Sequence, residues 1–285
     1  MRYESPDTIE AAAKLLASES DARVLAGGTD LLVQIRAEVL NPALVVDIKR
    51  IAETRTIKDE DGGFRIGAAV TGAELKEHAA LRKAWPGLLE GANLIGSTQV
   101  QGRASLGGNL CNGSPAADSV PGMIAAGAVA SIVGPNGRRE LPVEEIMLAP
   151  RKLALQKGEI IASFKLPKRA AHASDAYQRF IPRTEMDIAV VGCSVNLTLD
   201  DSGTCTAARV ALGAVAARPL LVEDAGKALV GTKVDDAALD KMVAAVRAAC
   251  KPIDDKRGTV EFRIDVAGVL AKRTALIALE RARKA

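Results

Sequence analysis

Residues 103–122 of the chain have the sequence R-A-S-L-G-G-N-L-C-N-G-S-P-A-A-D-S-V-P-G. This run is polar and rich in small residues although the segments on both sides are apolar, and long loops inside compact domains are commonly functional. Gly107 and Gly108 allow the backbone to approach a ligand closely and to expose its N–H groups. Residues 116–126 predict a helix whose first turn faces the run. Glycines beside a helix N-terminus are typical of an anion site, although an ordinary surface loop also fits these residues.

A second glycine pair occurs earlier in the chain, in residues 23–32, which have the sequence R-V-L-A-G-G-T-D-L-L. The pattern predicts a short strand over residues 24–26, a tight turn at Gly27 and Gly28, and a helix that begins near Leu31. The threonine and aspartate before that helix are of types that cap helices. This order places backbone N–H groups around a phosphate, although it is neither G-x-G-x-x-G nor a Walker A loop. The two glycine pairs predict a ligand with two phosphates, or one long ligand held between two lobes.

The two segments carry a resemblance to a known family. V-L-A-G-G-T-D-L and S-L-G-G-N-L-C-N-G-S-P-A-A-D resemble motifs of the FAD-binding medium subunits of the molybdenum hydroxylases, the xanthine dehydrogenase and carbon monoxide dehydrogenase family. Residues 209–219, R-V-A-L-G-A-V-A-A-R-P, resemble the strand and the arginine–proline turn of that family's C-terminal domain. The three motifs occur in the family's order, and the resemblance covers essentially the whole chain.

The resemblance implies an α+β fold in two parts. The first part is a two-lobed FAD-binding fold of the PCMH/vanillyl-alcohol-oxidase type, with lobes at residues 1–52 and 53–170. The second part, residues 175–285, is a C-terminal domain with a three-stranded antiparallel sheet and a helix bundle.

Local sequence signals place elements within this fold. Residues 61–63, D-G-G, are a hairpin signal, and Thr71 with Glu74 forms a capping box at the start of a helix. Apolar patterning predicts further strands at residues 43–48, 128–133, 160–166, 176–181, 188–199 and 206–215. Later helices are predicted at residues 222–229, 236–249 and 266–283.

FAD carries a pyrophosphate, which binds well to backbone N–H groups and helix dipoles. The resemblance implies cofactor contacts at Val24, Leu25, Ala26, Gly27, Gly28, Thr29, Asp30, Leu31, Ile95, Ser105, Gly107, Gly108, Asn109, Asp118, Ile161, Arg179, Asp187 and Ile188. Because the Asp118 carboxylate would repel the pyrophosphate, we expect it to accept hydrogen bonds from a ribose hydroxyl or the adenine amine; its alternative role is a helix cap. Ile95 and Ile161 match positions that pack on the cofactor, and both also suit a protein core.

Residues 179–189, R-F-I-P-R-T-E-M-D-I-A, resemble the family segment that borders the isoalloxazine ring. Arg179 stands where relatives often carry lysine, so a positive charge is kept. Asp187 and Ile188 would lie beside the ring, and Ile188 replaces an aromatic residue of some carbon monoxide dehydrogenases. No catalytic nucleophile or acid–base pair is predicted, because the flavin itself performs hydride and one-electron chemistry.

Composition narrows the remaining possibilities. The net charge of +3 and the lack of basic runs with interleaved aromatic residues argue against nucleic-acid binding. No run of about 18 apolar residues predicts a membrane span, and the first residues lack the apolar core of a secretory signal. We therefore expect a cytoplasmic protein. The four cysteines, Cys111, Cys193, Cys205 and Cys250, form no C-x-x-C pair, so we expect reduced thiols and no metal site. Cys111 either lies near the ligand or packs in the fold.

The function implied by the resemblance is electron transfer within a heteromeric complex. A molybdopterin-containing large subunit would oxidise the substrate, and a small subunit with 2Fe-2S clusters would relay the electrons. FAD in this chain would then pass them to an external acceptor such as NAD, a quinone or oxygen. One alternative is a free-standing FAD-dependent oxidase or reductase, against which the C-terminal resemblance argues. A second alternative is a non-catalytic scaffold subunit without flavin, against which the intact glycine pairs argue.

Overall fold

The computed structural model describes residues 1–285, and its elements follow one another in three groups. The first group contains β1 (Arg2–Glu4), α1 (Ile9–Ser18), β2 (Ala22–Leu25), α2 (Leu31–Arg36) and β3 (Leu44–Asp47). The second contains α3 (Ala52–Arg55), β4 (Ile57–Glu60), β5 (Gly63–Gly67), α4 (Gly72–Glu77), α5 (Ala79–Ala84), α6 (Pro86–Ala92), α7 (Thr98–Gln101), α8 (Leu106–Cys111), α9 (Ser119–Ala126), β6 (Val129–Gly134), β7 (Gly137–Pro142), α10 (Val143–Ile146), β8 (Met147–Ala149), β9 (Lys152–Leu153) and β10 (Ile160–Leu166). The third contains β11 (Ala173–Phe180), β12 (Val191–Leu199), β13 (Cys205–Gly213), β14 (Leu220–Leu221), α11 (Glu223–Leu229), α12 (Asp236–Ala249) and α13 (Val260–Ala282).

The first group forms a small parallel sheet with strand order β1-β3-β2. Parallel neighbours need crossover connections, and α1 and α2 provide them. Buried Ile9, Ala12, Ala13 and Leu16 recur at helical spacing on α1 and pack over the sheet. Their burial fixes α1 against β3, so the β2–α2 turn is held at the carboxyl end of the sheet.

The second group is built on an antiparallel five-stranded sheet with strand order β4-β5-β10-β6-β7. The predicted hairpin forms between β4 and β5, and Asp61 and Gly62 both adopt positive φ in its turn. The predicted capping box also forms, because Glu74 N–H bonds the Thr71 hydroxyl while the Glu74 carboxylate accepts from Thr71 N–H. Helices α4, α5, α6, α8 and α9 pack with this sheet around a core of buried apolar side chains. Trp85, the chain's single tryptophan, is part of that core.

The C-terminal sheet has four antiparallel strands, β11-β12-β13-β14, rather than the three that the sequence predicts. The added strand, β14, is only two residues long and pairs with β13 through Leu221 and Ala211. A strand of two residues is too short to produce an alternating pattern. Helices α11 to α13 cover the sheet, and α13 starts at Val260, earlier than predicted, because the Thr259 hydroxyl accepts a hydrogen bond from Phe262 N–H.

A buried carboxylate joins the second and third groups. Asp175, on β11, accepts a hydrogen bond of 2.9 Å from Leu88 N–H in the first turn of α6. The same carboxylate forms an ion pair with Arg169. The Arg169 guanidinium in turn stacks 4.0 Å from the ring centre of Trp85. This contact fixes α6 against the C-terminal sheet. None of the helices combines the length and the apolar character that crossing a bilayer requires.

Candidate functional site

A cleft of about 680 Å³ lies between the first two groups of elements. This volume is within the range of about 300–1,000 Å³ that is usual for ligand sites. Its walls include many of the residues predicted to bind the cofactor, namely Val24, Ala26, Gly27, Gly28, Thr29, Asp30, Leu31, Ile95, Ser105, Gly107, Gly108, Asn109 and Ile161. Both glycine pairs therefore face one cavity.

The first glycine pair lies in the turn between β2 and α2, residues 26–31, which we call the glycine turn. The N–H groups of Gly27, Gly28, Thr29 and Asp30 have no hydrogen-bond acceptor within the chain. Asp30 occupies the N-cap position of α2, but its side chain makes no cap bond, contrary to the sequence prediction. Since α2 has only six residues, its dipole is small, and the free N–H groups are the stronger attraction for anionic oxygen atoms.

The two glycine segments cross at Gly27. A Cβ atom built on this residue would lie 1.8 Å from the carbonyl oxygen of Arg103, a separation that no side chain tolerates. Only glycine allows the glycine turn to pass this close to the segment that leads into α8. The crossing brings the two motifs side by side on the cleft wall.

The second glycine pair differs from its prediction, because this part of the run is the helix α8 rather than a loop. Gly107 N–H donates to Ala68 O at 3.1 Å, and Gly108 N–H donates to the Ser105 hydroxyl at 3.1 Å. The N–H groups of Gly107 and Gly108 are therefore satisfied within the chain, contrary to the prediction that this pair exposes them. A Cβ on Gly107 would collide with Ala68 O at 2.6 Å, whereas one on Gly108 meets only the Ser105 hydroxyl, at 3.2 Å. Gly108 thus leaves open space on the cleft wall.

Asn109 links the cleft to the start of α9. Its Oδ1 atom accepts hydrogen bonds from the N–H and the hydroxyl of Ser119, at 3.2 and 2.7 Å. These bonds fix the orientation of the side-chain amide. Because they leave its Nδ2 group without a partner in the chain, Asn109 keeps a donor for a bound ligand.

Asp118 lies behind the cleft wall rather than on it. Its carboxylate accepts from the Tyr177 hydroxyl at 2.9 Å and from Arg179 at 2.8 Å, and Arg179 also donates to Leu94 O, next to Ile95 on the wall. Burial raises the pKa of the Asp118 carboxyl to about 6, although Arg179 and Tyr177 oppose the rise. The side chain makes no cap bond to α9, so the helix-cap alternative is wrong. The charge that Arg179 keeps is neutralised by Asp118.

Three further predicted residues are also absent from the cleft wall. Leu25 is buried beneath the glycine turn. Asp187 binds the Arg183 guanidinium and the N–H of Ile188, so it stabilises its own loop. Ile188 has 53% of its surface exposed on that loop.

Sequence reasoning missed one part of the cleft wall. It consists of residues around the β8–β9 hairpin and the start of β10, including Arg151, Leu153, Leu155, Gln156, Lys157 and Gly158. This segment contains no recognisable motif, and only its proximity to Ile161 could have suggested it. Its cations favour an anionic ligand.

Cys111, at the end of α8, also lies on the cleft wall, and its side chain is exposed there. The other three cysteines are buried.

The geometry fits a long anionic ligand, because the cleft wall carries free N–H groups at one turn, apolar side chains such as Ile95 and Ile161, and the cations Arg151 and Lys157. The sequence model of the family described as the FAD binding domain in molybdopterin dehydrogenase matches residues 1–169. The chain belongs to this family. A second model, the CO dehydrogenase flavoprotein C-terminal domain, matches residues 175–278. The chain is accordingly the FAD-binding subunit of an oxidoreductase of the xanthine and carbon monoxide dehydrogenase family, as its sequence motifs indicate.

Individual relatives agree with this assignment over nearly the full length. The chain is 34% identical to the carbon monoxide dehydrogenase medium chain of Afipia carboxidovorans, covering 99% of this chain and 96% of the relative. It is 31% identical to the xanthine dehydrogenase FAD-binding subunit of Escherichia coli O157:H7, covering 95% and 93%. The fold superposes on a chain of the reconstituted CO dehydrogenase from Oligotropha carboxidovorans with a TM-score of 0.94 and 33% identity, covering 99% and 98%. The α+β fold prediction is thus confirmed, apart from the fourth C-terminal strand.

Proposed function

We propose that this chain passes electrons from 2Fe-2S clusters of a partner subunit, through FAD held in the cleft, to an external acceptor. The observation that carries the proposal is the glycine turn, whose free N–H groups face a cleft in a chain that resembles flavin subunits along its whole length. The 2Fe-2S clusters would be held by the partner subunit. A molybdopterin-containing large subunit would oxidise the substrate.

The chain's own residues would bind and orient the cofactor. N–H groups of the glycine turn would hold the pyrophosphate, and Asn109 Nδ2 would donate a further hydrogen bond. Ile95 and Ile161 would pack against apolar parts of FAD. Bound FAD supplies hydride and one-electron chemistry, so the protein needs no nucleophile.

By the family resemblance, the ring end of the cofactor would lie near the segment that contains Arg179. There the Asp118–Arg179 pair, which bonds Leu94 O, would stiffen the wall from behind rather than touch FAD directly. By the family resemblance, the loop with Asp187 and Ile188 would border the exposed edge of the ring. This position would let the loop influence the transfer of electrons to the acceptor, whether NAD, a quinone or oxygen.

The test measures reduction of the flavin with and without partner subunits, and stopped-flow absorbance at the flavin band monitors the reduction. The isolated chain loaded with FAD should stay oxidised when it is mixed with a purine or an aromatic heterocycle, and dithionite should reduce it. Addition of a molybdopterin-containing large subunit and a 2Fe-2S small subunit should restore bleaching of the flavin by the substrate. Rapid reduction of the isolated chain by substrate would contradict the proposal and favour a free-standing oxidase.

A further inference from the structure

Lys49, two residues beyond the end of β3, reaches across to the glycine turn. Its ammonium group lies 3.0 Å from the carbonyl oxygen of Ala26 and 2.8 Å from each carboxylate oxygen of Asp47. The Lys49 side chain is 28% exposed, so it is largely enclosed between the two strands. Lys49 is absent from the cleft wall and would not touch a ligand there.

Asp47 holds the ammonium group in place. Burial alone would raise the pKa of this carboxyl, but hydrogen bonds from Lys49 and from the Tyr3 hydroxyl outweigh burial and lower it. The Tyr3 hydroxyl donates at 2.7 Å, and Lys49 N–H donates to the same carboxylate at 2.9 Å. The carboxylate is therefore ionised at neutral pH, and it keeps the ammonium group beside Ala26 O.

The hydrogen bond from Lys49 to Ala26 O determines the direction of the next N–H group along the chain. In a planar trans peptide the C=O and the N–H point in opposite directions. Because Lys49 holds the carbonyl of the Ala26–Gly27 peptide on one side, the Gly27 N–H must point to the other. Gly27 lies on the cleft wall, and its N–H has no acceptor within the chain. A flipped peptide would instead present the carbonyl oxygen to an anion and repel it.

We propose that Lys49 is a positioning residue for the cofactor, which fixes the Ala26–Gly27 peptide so that Gly27 N–H is already aimed at the pyrophosphate before FAD binds. The inference rests on the proposed placement of the pyrophosphate at the glycine turn. Its effect is on the pyrophosphate alone, because Lys49 reaches no other part of the cleft wall.

The experiment compares the full-length chain loaded with FAD and its Lys49→Met variant, which keeps the length of the side chain and removes the ammonium group. On dilution, recovery of flavin fluorescence should be about tenfold faster in the variant, the scale of one lost phosphate donor. The ³¹P resonances of the bound pyrophosphate should shift. Lys49→Arg, which can still donate to Ala26 O, should restore most of the slow release and the original resonances.

Lys233→Met is the matched control, because Lys233 also donates to a backbone carbonyl, that of Ser202, but lies far from the cleft. It should leave release and the ³¹P resonances unchanged. Unchanged release and resonances in Lys49→Met would overturn the inference. So would a variant that loses thermal stability without FAD but keeps the original resonances, because this result is that of a purely structural residue.

A second measurement needs no substitution. Hydrogen exchange at the Gly27 amide of the wild-type chain should slow when FAD binds, because the amide then has an acceptor. An unchanged exchange rate at Gly27, in a chain that does bind FAD, would overturn both the inference about Lys49 and the placement of the pyrophosphate at this N–H group. A wild-type chain that fails to bind FAD would instead contradict the cofactor assignment itself.

Discussion

The glycines of the two motifs differ in what a side chain added at each position would contact. At Gly27 and Gly107 a side chain would collide with a backbone carbonyl, so these residues are required for the chain to fold. At Gly108 a side chain would enter the cleft instead and would meet only the Ser105 hydroxyl. Substitution at Gly108 therefore separates cofactor binding from folding, which substitution at Gly27 cannot do.

We expect Gly108→Ala to weaken FAD binding by about tenfold or more, equal to about 1.4 kcal/mol, because its methyl group occupies cofactor space. The apoprotein should keep its stability or gain up to about 1 kcal/mol, since alanine favours a helix over glycine. Fluorescence titration with FAD and thermal unfolding measure the two quantities. Gly107→Ala is the control, and it should lower the yield of folded protein. Normal FAD affinity in Gly108→Ala would contradict the proposed site.

Asp118 makes the stability of the apoprotein depend on pH. Its carboxyl has a pKa of 3.8 in its ordinary environment and about 6 in the fold, so the native state binds more protons between these values. The stabilisation is complete below the lower value and is lost as the pH rises through the higher one. Relative to Asp118→Asn, the unfolding free energy of the wild type should fall by about 3 kcal/mol across this window. Urea unfolding at several pH values gives the difference, and a difference that does not fall with pH would refute the assignment.

At the scale of elements, the buried carboxylate of Asp175 joins α6 to β11. We expect Asp175→Ala to destabilise the chain by about 3–5 kcal/mol, because Arg169 would remain largely buried without its partner and the first turn of α6 would lose an acceptor. Lys272→Ala is a suitable control, since its ion pairs on the helix surface are exposed and should contribute less than about 1 kcal/mol. Denaturant unfolding would measure both; equal effects would show that the buried pair has no special role.

Elements with a strong local signal were predictable from the sequence. The strand at residues 160–166 and the helix at residues 236–249 have the predicted bounds, because apolar patterning and clear breakers define both ends. Residues 103–115 were expected to be a loop, yet α8 lies within them. Glycines are poor helix formers, and α8 is stabilised instead by the Ser105 cap and by the contact of Gly107 with Ala68 O, which no local pattern reveals.

The candidate site was predictable where motifs carry it and unpredictable where only tertiary contact does. Both glycine segments line the cleft as expected. The wall with Arg151 and Lys157 depends on how the β8–β9 hairpin folds across the lobes, a non-local event. The positions of Asp118 and Arg179 depend equally on long-range pairing, because α9 and β11 are far apart in sequence.

On the scale of the whole molecule, the cleft is confined to part of the chain. Every residue of its wall lies between Leu16 and Ile161, while helices α12 and α13 belong to a separate core on the C-terminal sheet. Binding at the cleft should therefore stabilise the chain unevenly.

Hydrogen exchange measured by mass spectrometry should detect this unevenness. FAD at about 100 times its Kd stabilises a folded protein by about 2.7 kcal/mol. We expect the largest slowing of exchange in residues 26–31, 105–112 and 151–161, and little in residues 236–282. Slowing concentrated in α12 and α13 would place the cofactor elsewhere.

The crossing at Gly27 also bears on how related proteins are judged from their sequences. A descendant of this fold that no longer carried flavin would still need glycine at the crossing, because the collision with the Arg103 carbonyl does not depend on a ligand. A glycine at this position in a relative therefore indicates the shared fold and does not indicate that the relative binds flavin. The position of Gly108 is free of this constraint. A bulky residue at that position is therefore the better indication that a relative has lost flavin binding.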